Sequence, residues 1–179
     1  MKKIFLLGAA FLLLAGCAHV ISEESRNLVD PTIQFENLRS SPDSFVGKYV
    51  MLGGTIAAVR NSKDGSQLEV VQSPLESDEL PEEASHSSGG RFLATTSRFL
   101  DPLVYKSGRR VTVVGQVQGK KTLPIDQVDY TYPVITIREI HVWSKSELEQ
   151  SPYPSPGYYN DPFWHGGPPY WWYRRPYFW

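Results

Sequence analysis

The chain has 179 residues with 18 basic and 19 acidic side chains, so its formal net charge is −1. This near balance excludes a strongly basic protein that binds nucleic acid mainly through phosphate contacts. The single cysteine excludes an intramolecular disulfide. The length allows one domain with its own core together with shorter flanking segments.

The N-terminus has the pattern of a secretory signal. Two lysines precede the uncharged run 4–15, which is shorter than the about 20 apolar residues of a membrane-spanning helix. The sequence Leu-Ala-Gly-Cys at 14–17 resembles the lipobox of bacterial lipoproteins. The resemblance implies cleavage between Gly16 and Cys17, acylation of the Cys17 thiol and attachment to membrane lipid. Ala18 at the next position favours the outer membrane over the inner one.

Two other interpretations of this segment stay open. A membrane-spanning helix would have to extend the apolar run to Ile21 across the polar His19. A plain secretory signal would leave Cys17 as an unpaired thiol in an oxidising compartment. The lipobox interpretation divides the chain into a signal peptide (1–16), a lipidated cysteine with a polar tether (17–30), a β domain (31–150) and a tail (151–179).

The β domain is predicted from short alternating apolar runs at close spacing. A helical turn begins at Phe35, and the predicted strands are 49–60, 67–72, 91–96, 110–119 and 132–143. Gly53 and Gly54 inside the first strand predict a bulge, a bend or a close backbone approach. We expect a long exposed loop over 73–90, a helical or turn segment over 99–105, and a final helical turn over 145–149.

Five strands with a short helical segment favour an all-β fold, a small OB-like five-stranded Greek-key barrel. A compact antiparallel sandwich is the alternative. The order of the strands in the sheet cannot be read from one sequence.

Several segments are similar to the Slp family of outer-membrane lipoproteins, which is named for induction on starvation. After the lipobox, the similar segments are Val-Asp-Pro at 29–31, SPDSFVGK at 41–48, VMLGGTI at 50–56, and YTYPVI at 130–135 continuing to His-Val-Trp at 141–143. They lie in order across residues 14–143, and the resemblance does not extend to the tail after Ser151. It implies an envelope lipoprotein without assigned catalytic activity.

The tail 151–179 contains four of the five tryptophans and no helical or strand period. Its proline density favours extended or turn structure. One interpretation is a disordered segment that folds back on the barrel. In a second, Trp164, Trp171 and Trp172 lie at the lipid headgroups, where Arg174 and Arg175 meet anionic groups. A third is recognition of a glycan or a protein through the aromatic faces.

Catalytic and metal-binding patterns are missing from the sequence. The four histidines are scattered, and His141 is predicted to share the alternating face of Ile135 and Ile137 as a partly buried structural residue. We interpret Asp126 and Asp129 as solvated loop carboxylates. The sequence therefore predicts no catalytic residue, no metal site and no cofactor.

These observations predict an outer-membrane lipoprotein with a non-enzymatic structural or stress-protective role in the envelope. The alternative is a binding module that holds a glycan or small ligand through a barrel groove or the tail. Expected partners are membrane lipid through Cys17 and an envelope protein or glycan, without nucleic acid, and the oligomeric state is not predicted. A groove lined by aromatic rings near the second and third strands would favour the ligand-binding alternative.

Overall fold

A computed structural model describes residues 19–83 and 88–150, in which short helices flank a five-stranded sheet. The elements are α1 Glu23–Arg26, α2 Phe35–Ser40, a 3₁₀ turn Pro42–Phe45, β1 Tyr49–Ser62, β2 Gly65–Ser73, β3 Gly90–Thr96, β4 Arg110–Ile125, β5 Val128–Val142 and α3 Lys145–Gln150. The final helix α3 lies where the last predicted helical turn was placed, in a separate compact unit that begins at Lys145. Across these ranges, none of the helices has the length and apolar character needed to cross a bilayer.

The five strands close into a barrel in the order β1-β2-β3-β5-β4. β3 and β5 pair in parallel, and the other four pairs are antiparallel. This is the arrangement of an OB-type Greek-key barrel, so the predicted fold class is confirmed. The segment 99–105 forms turns, and the helices of this unit lie before β1.

The barrel interior is filled by aliphatic side chains from all five strands. Alternate residues of β1 and β4, such as Val50, Leu52, Val111 and Val113, point inward and are almost fully buried. Phe35 of α2 also belongs to this inner cluster. The interior therefore forms a packed hydrophobic core.

A β-bulge in β5 reverses which residues face the barrel interior. Consecutive β4 residues pair with Ile137 and Glu139, so Arg138 is the extra residue of the bulge. Beyond it, Ile140 packs against the inner cluster and His141 takes the outer face. The prediction that His141 shares the face of Ile137 is therefore wrong, because an inserted residue breaks the period of two on which it relied.

The β4–β5 hairpin is longer than predicted. Residues 120–131, expected as a loop, continue both strands as far as a turn at Asp126 and Gln127, where Asp126 has a φ of 51°. Much of this outer hairpin is exposed, so its sequence is polar and lacks the apolar alternation of a strand with one buried face. Pro124 and Asp129 pair across it, although both residue types are rare in strands.

Gly53 and Gly54 allow two close approaches to β1, as their pairing predicted. A Cβ atom at Gly53 would overlap the Leu75 side chain and lie 3.2 Å from Pro81. A Cβ atom at Gly54 would overlap the Val71 carbonyl oxygen of the neighbouring strand. Segment 74–83 thus packs on the outside of β1, whereas the sequence predicted an exposed loop over 73–90.

Gly54→Ala is expected to lower the free energy of unfolding by about 3 kcal/mol, because the new methyl meets a backbone atom that cannot move aside. Urea denaturation followed by circular dichroism measures this change. Arg60→Ala, at an exposed position of the same strand, is the control and should change the value by less than about 0.5 kcal/mol. An unchanged unfolding midpoint for Gly54→Ala would show that this close approach does not exist in solution.

Candidate functional site

The residues to which the sequence assigns lipid attachment and interfacial contact lie outside the ranges that the structure describes. They are Gly16, Cys17, Trp164, Trp171, Trp172, Arg174 and Arg175. Their assignments remain predictions. The structure instead describes two surfaces of the barrel whose residues the sequence did not name, and both use the outer faces of the strands.

The first surface is a polar groove of about 540 Å³ near β2 and β3. It lies between the β1–β2 hairpin and the β4–β5 hairpin, the position at which OB barrels commonly bind ligands. Hydroxyl and amide groups supply most of the lining, including Asn61, Ser62, Gln67, Thr95, Thr96 and Thr136. Of the described residues that line it, none is aromatic, so the groove offers no platform for stacking a base or a sugar.

The cations of this groove are Arg60 and Lys121. Neither forms an ion pair with another residue in the part of the chain that the structure describes. One wall is fixed by hydrogen bonds: the Asn61 amide donates to the Leu100 carbonyl at 2.9 Å, and the Leu100 N–H donates to the Ser66 hydroxyl at 3.0 Å. The groove can therefore present hydroxyl, amide and cationic groups, together with the Asp64 carboxylate, to a polar or anionic ligand.

The rest of the outer face of β2 and β3 is covered by the protein itself. Glu69 accepts a hydrogen bond from Arg91 at 2.6 Å and another from the Tyr132 hydroxyl at 3.0 Å. Burial, the hydrogen bond to Glu69 and its negative charge raise the pKa of Tyr132 to about 12. Leu93 is fully buried on this outer face, although it is not part of the inner cluster. The surface that an OB barrel often uses for binding is thus partly occupied by its own β5 strand.

The second surface holds the N-terminal segment against the barrel. Residues 21–29, expected to form part of a tether, contact segment 74–83, β5 and the first residue of β1. The Ile21 N–H donates to the Glu79 carboxylate at 3.0 Å, and the Ser22 N–H donates to the Glu139 carboxylate at 3.0 Å. Ile21 is only 2% exposed. The segment is therefore docked on the barrel from Ile21 onward.

Glu79 is the centre of this docking site. Its carboxylate also lies 3.3 Å from the His19 ring and 3.7 Å from the Arg26 guanidinium. Its carbonyl accepts a hydrogen bond from Thr112, whose hydroxyl in turn accepts one from the Trp143 indole at 3.0 Å. Glu79 thus connects the N-terminal segment to β4 and to the chain just after β5.

Sequence reasoning missed the docking site because its parts are far apart in the chain. Glu79 is separated from Ile21 by 58 residues. Its backbone has a φ of 70°, which is uncommon for a residue with a side chain. The only usable signal was the acidic run of segment 74–83, which is equally typical of a solvated loop.

Acid is expected to weaken the contact between Glu139 and the N-terminal segment. Burial raises the pKa of Glu139, but hydrogen bonds from Ser22 and Ser25 outweigh it and hold the pKa below 4.5. Because the pKa is lower in the folded state, the stabilisation is complete above pH 4.5 and is lost as the pH falls through the folded pKa.

An NMR titration can follow this loss through the Ser22 amide resonance, which should move with the Glu139 carboxyl resonance. Glu139→Gln is the matched control and should remove the pH-dependent step. A Ser22 resonance that does not move on acidification would contradict a contact between these two groups.

An OB-type barrel preceded by a signal and a lipobox defines a class of small envelope lipoproteins. The chain belongs to the outer membrane lipoprotein Slp family, whose family model matches residues 14–178. The match extends through the aromatic tail, so the narrower resemblance over 14–143 understated the family's extent. The protein is accordingly an outer-membrane lipoprotein with a lipid anchor.

Two relatives from Escherichia coli strain K12 cover most of the chain. The chain is 32% identical to the outer membrane protein Slp, over 91% of its own length and 86% of that protein. It is 30% identical to the uncharacterized lipoprotein YeaY, over 92% of its own length and 82% of that protein. Among solved structures, an aspartyl tRNA synthetase from Entamoeba histolytica matches 73% of this chain and 22% of its own, at 13% identity and a TM-score of 0.34. A similarity this loose carries no information on function.

Proposed function

We propose that this lipoprotein has a non-enzymatic structural or stress-protective role in the outer membrane, exerted through contacts with protein or lipid. The observation that carries the proposal is the use of both barrel faces for the protein's own packing. The interior is filled, and the Glu69–Arg91–Tyr132 cluster covers much of the β2–β3 face. The family and relatives carry lipoprotein names and no enzyme name, which supports the same interpretation.

Two chemical features of the described residues bear on this proposal. Residues 19–83 and 88–150 contain no group of three or more histidine, cysteine or acidic side chains arranged to hold a metal ion. The carboxylates with the most contacts, Glu69 and Glu79, are engaged in ion pairs within the fold.

A second candidate function is binding of a small polar or anionic ligand in the groove. The cations Arg60 and Lys121, which form no ion pair with another described residue, lie beside a row of hydroxyl and amide groups and favour it. The missing aromatic rings disfavour a neutral sugar, since sugars commonly stack on aromatic faces. This candidate therefore predicts that both cations contribute to binding.

One complementation experiment separates the two functions. A strain without the protein is challenged by starvation and by detergent, and is then supplied with the wild type or with an Arg60→Ala/Lys121→Ala variant. The structural role predicts full complementation by the variant, because both residues are exposed and outside the core. Loss of complementation by a variant that is folded and present in normal amount would support the ligand-binding function.

Lys63→Ala/Lys145→Ala is a matched control, because it removes two exposed cations that do not line the groove. Failure of the control as well would assign the effect to surface charge in general. A strain that survives both challenges equally well with and without the protein would contradict the protective role.

A further inference from the structure

The loop 97–109, which joins β3 to β4, exposes a cluster of large apolar side chains. Phe99 is 72% exposed, Leu103 is 83% exposed and Val104 is 44% exposed. Between them, Leu100 is buried in the inner cluster and Tyr105 packs against it. The loop is thus attached to the barrel through two residues and presents three others to its surroundings.

The shape of this loop is fixed by hydrogen bonds. Leu100 is held through both its N–H and its carbonyl by groups of the β1–β2 hairpin. Asp101 accepts the Leu103 N–H with its carboxylate at 2.8 Å and the Tyr105 N–H with its carbonyl at 2.9 Å. The apolar cluster is therefore preformed, and little conformational entropy would be lost when it inserts into a partner phase.

The charges near the cluster are mainly positive. Arg98 and Lys106 are exposed on either side of the apolar residues, while the only acid of the loop, Asp101, is engaged by backbone N–H groups. An apolar surface flanked by cations is complementary to a lipid surface with anionic headgroups. Scattered single apolar residues need no such explanation, but three within six consecutive positions form a patch.

The N-terminal segment runs along the barrel toward this loop. At its far end, Val29 bridges Tyr49, which pairs with Gln116 of β4. Gln116 lies six residues beyond the start of β4, or about 20 Å from the loop 97–109 at the usual rise per residue. The C-terminal end of this segment, at Val29, therefore lies at the end of the barrel opposite the loop.

The N-terminal end of the segment, at Ile21, lies at the end of the barrel that carries the loop. Ile21 is bound by Glu79, whose carbonyl accepts a hydrogen bond from Thr112, two residues after the start of β4. Cys17 is only four residues before Ile21, and an extended chain of that length spans at most about 14 Å. The N-terminal end of the described chain and the apolar loop thus belong to the same end of the barrel.

We propose that loop 97–109 is a second membrane contact, in which Phe99, Leu103 and Val104 enter the headgroup region while Arg98 and Lys106 meet anionic lipid. The proposal rests on acylation of Cys17, which holds this end of the barrel at the lipid surface. Two attachments instead of one would also fix the orientation of the barrel on the membrane.

Fluorescence quenching in proteoliposomes tests this contact. The mature lipidated protein carrying Leu103→Cys is labelled with an environment-sensitive dye, since the native cysteine is acylated and the new thiol is unique. The vesicles contain phosphatidylethanolamine and phosphatidylglycerol, with a spin-labelled lipid at headgroup depth. Val46→Cys is the matched control, because Val46 is 56% exposed and lies near Val117, at the end of the barrel opposite the loop.

The dye at position 103 should shift to the blue and be quenched severalfold more than the dye at position 46. Adding Arg98→Glu/Lys106→Glu should reduce that quenching in vesicles with phosphatidylglycerol. Protein that floats with the vesicles but shows equal, weak quenching at both positions would overturn the proposal. Protection of position 103 in whole cells but not in vesicles would indicate a protein partner and would also overturn it. Protein that does not float with the vesicles would contradict the lipid anchor, and the proposed contact of loop 97–109 would then be overturned as well.

Discussion

Replacing Cys17 with alanine is expected to release the protein from the outer membrane. Cys17 is the only cysteine of the chain, and the preceding Leu-Ala-Gly is similar to a lipobox. Each methylene of an acyl chain buried in the bilayer contributes about 0.8 kcal/mol, and two chains give a stable attachment. The surface contact proposed for the loop 97–109 is too small to replace that energy, so the loss should be nearly complete.

Membrane fractionation followed by a high-salt wash measures the release. Val20→Ala is the matched control, since it changes a residue of the same segment and leaves the thiol and Ala18 in place. The wild type and the control should stay in the outer-membrane fraction, whereas Cys17→Ala should move to the soluble fraction after cleavage or persist as an uncleaved precursor. A cleaved Cys17→Ala protein that stays in the outer membrane through high salt would show that Cys17 is not the anchor.

Glu79→Ala is expected to detach the N-terminal segment and to lower the free energy of unfolding by about 3 kcal/mol. The carboxylate holds the Ile21 N–H, the His19 ring and the Arg26 guanidinium. Nε of Arg26 is already buried without a hydrogen-bond partner among the described residues. Removing Glu79 would leave the buried Ile21 N–H without an acceptor and the partly buried Arg26 without its counter-charge, and these unsatisfied groups are the main source of the effect.

Urea denaturation measures the loss of stability, and trypsin cleavage after Arg26 reports whether the segment has detached. Glu83→Ala is the matched control, because Glu83 is an exposed acid of the same loop, and it should change stability by less than about 0.5 kcal/mol. Equal stability and equal cleavage rates for the two variants would contradict the central role of Glu79 in docking.

The fold was predictable because its signals are local. The period of two in β1 and β4 identified the inward-facing residues, and Gly53 and Gly54 indicated that other chain segments approach the first strand closely. A strand with one buried face has that pattern wherever it lies in the sheet. The order of the strands has no such local signal, because it depends on which strands from distant parts of the sequence pair at their edges.

The two outer surfaces were not predictable because they depend on contacts between distant residues. Tyr132 and Glu69 are 63 residues apart, and neither a tyrosine nor a glutamate in a sequence indicates that its side chain will cover a barrel face. The Arg138 bulge lies opposite Gly115, which does not by itself show that β5 carries an extra residue, and the bulge turns His141 outward. Polar segments such as 74–83 resemble solvated loops in sequence even where the fold buries part of them.

The closed order of the strands has a consequence for how the chain folds. The β1–β2 and β4–β5 hairpins are local and should form early, whereas the β1–β4 and β3–β5 pairs need contacts across long stretches of sequence. Until both long-range pairs form, strand edges stay open to pairing with other chains. The site for the N-terminal segment requires β4, β5 and segment 74–83 together, so it is completed only after closure. We therefore expect the undocked chain between the lipid and the barrel to be long while a newly exported protein folds. Once the barrel has closed, docking of residues 21–29 shortens that connection.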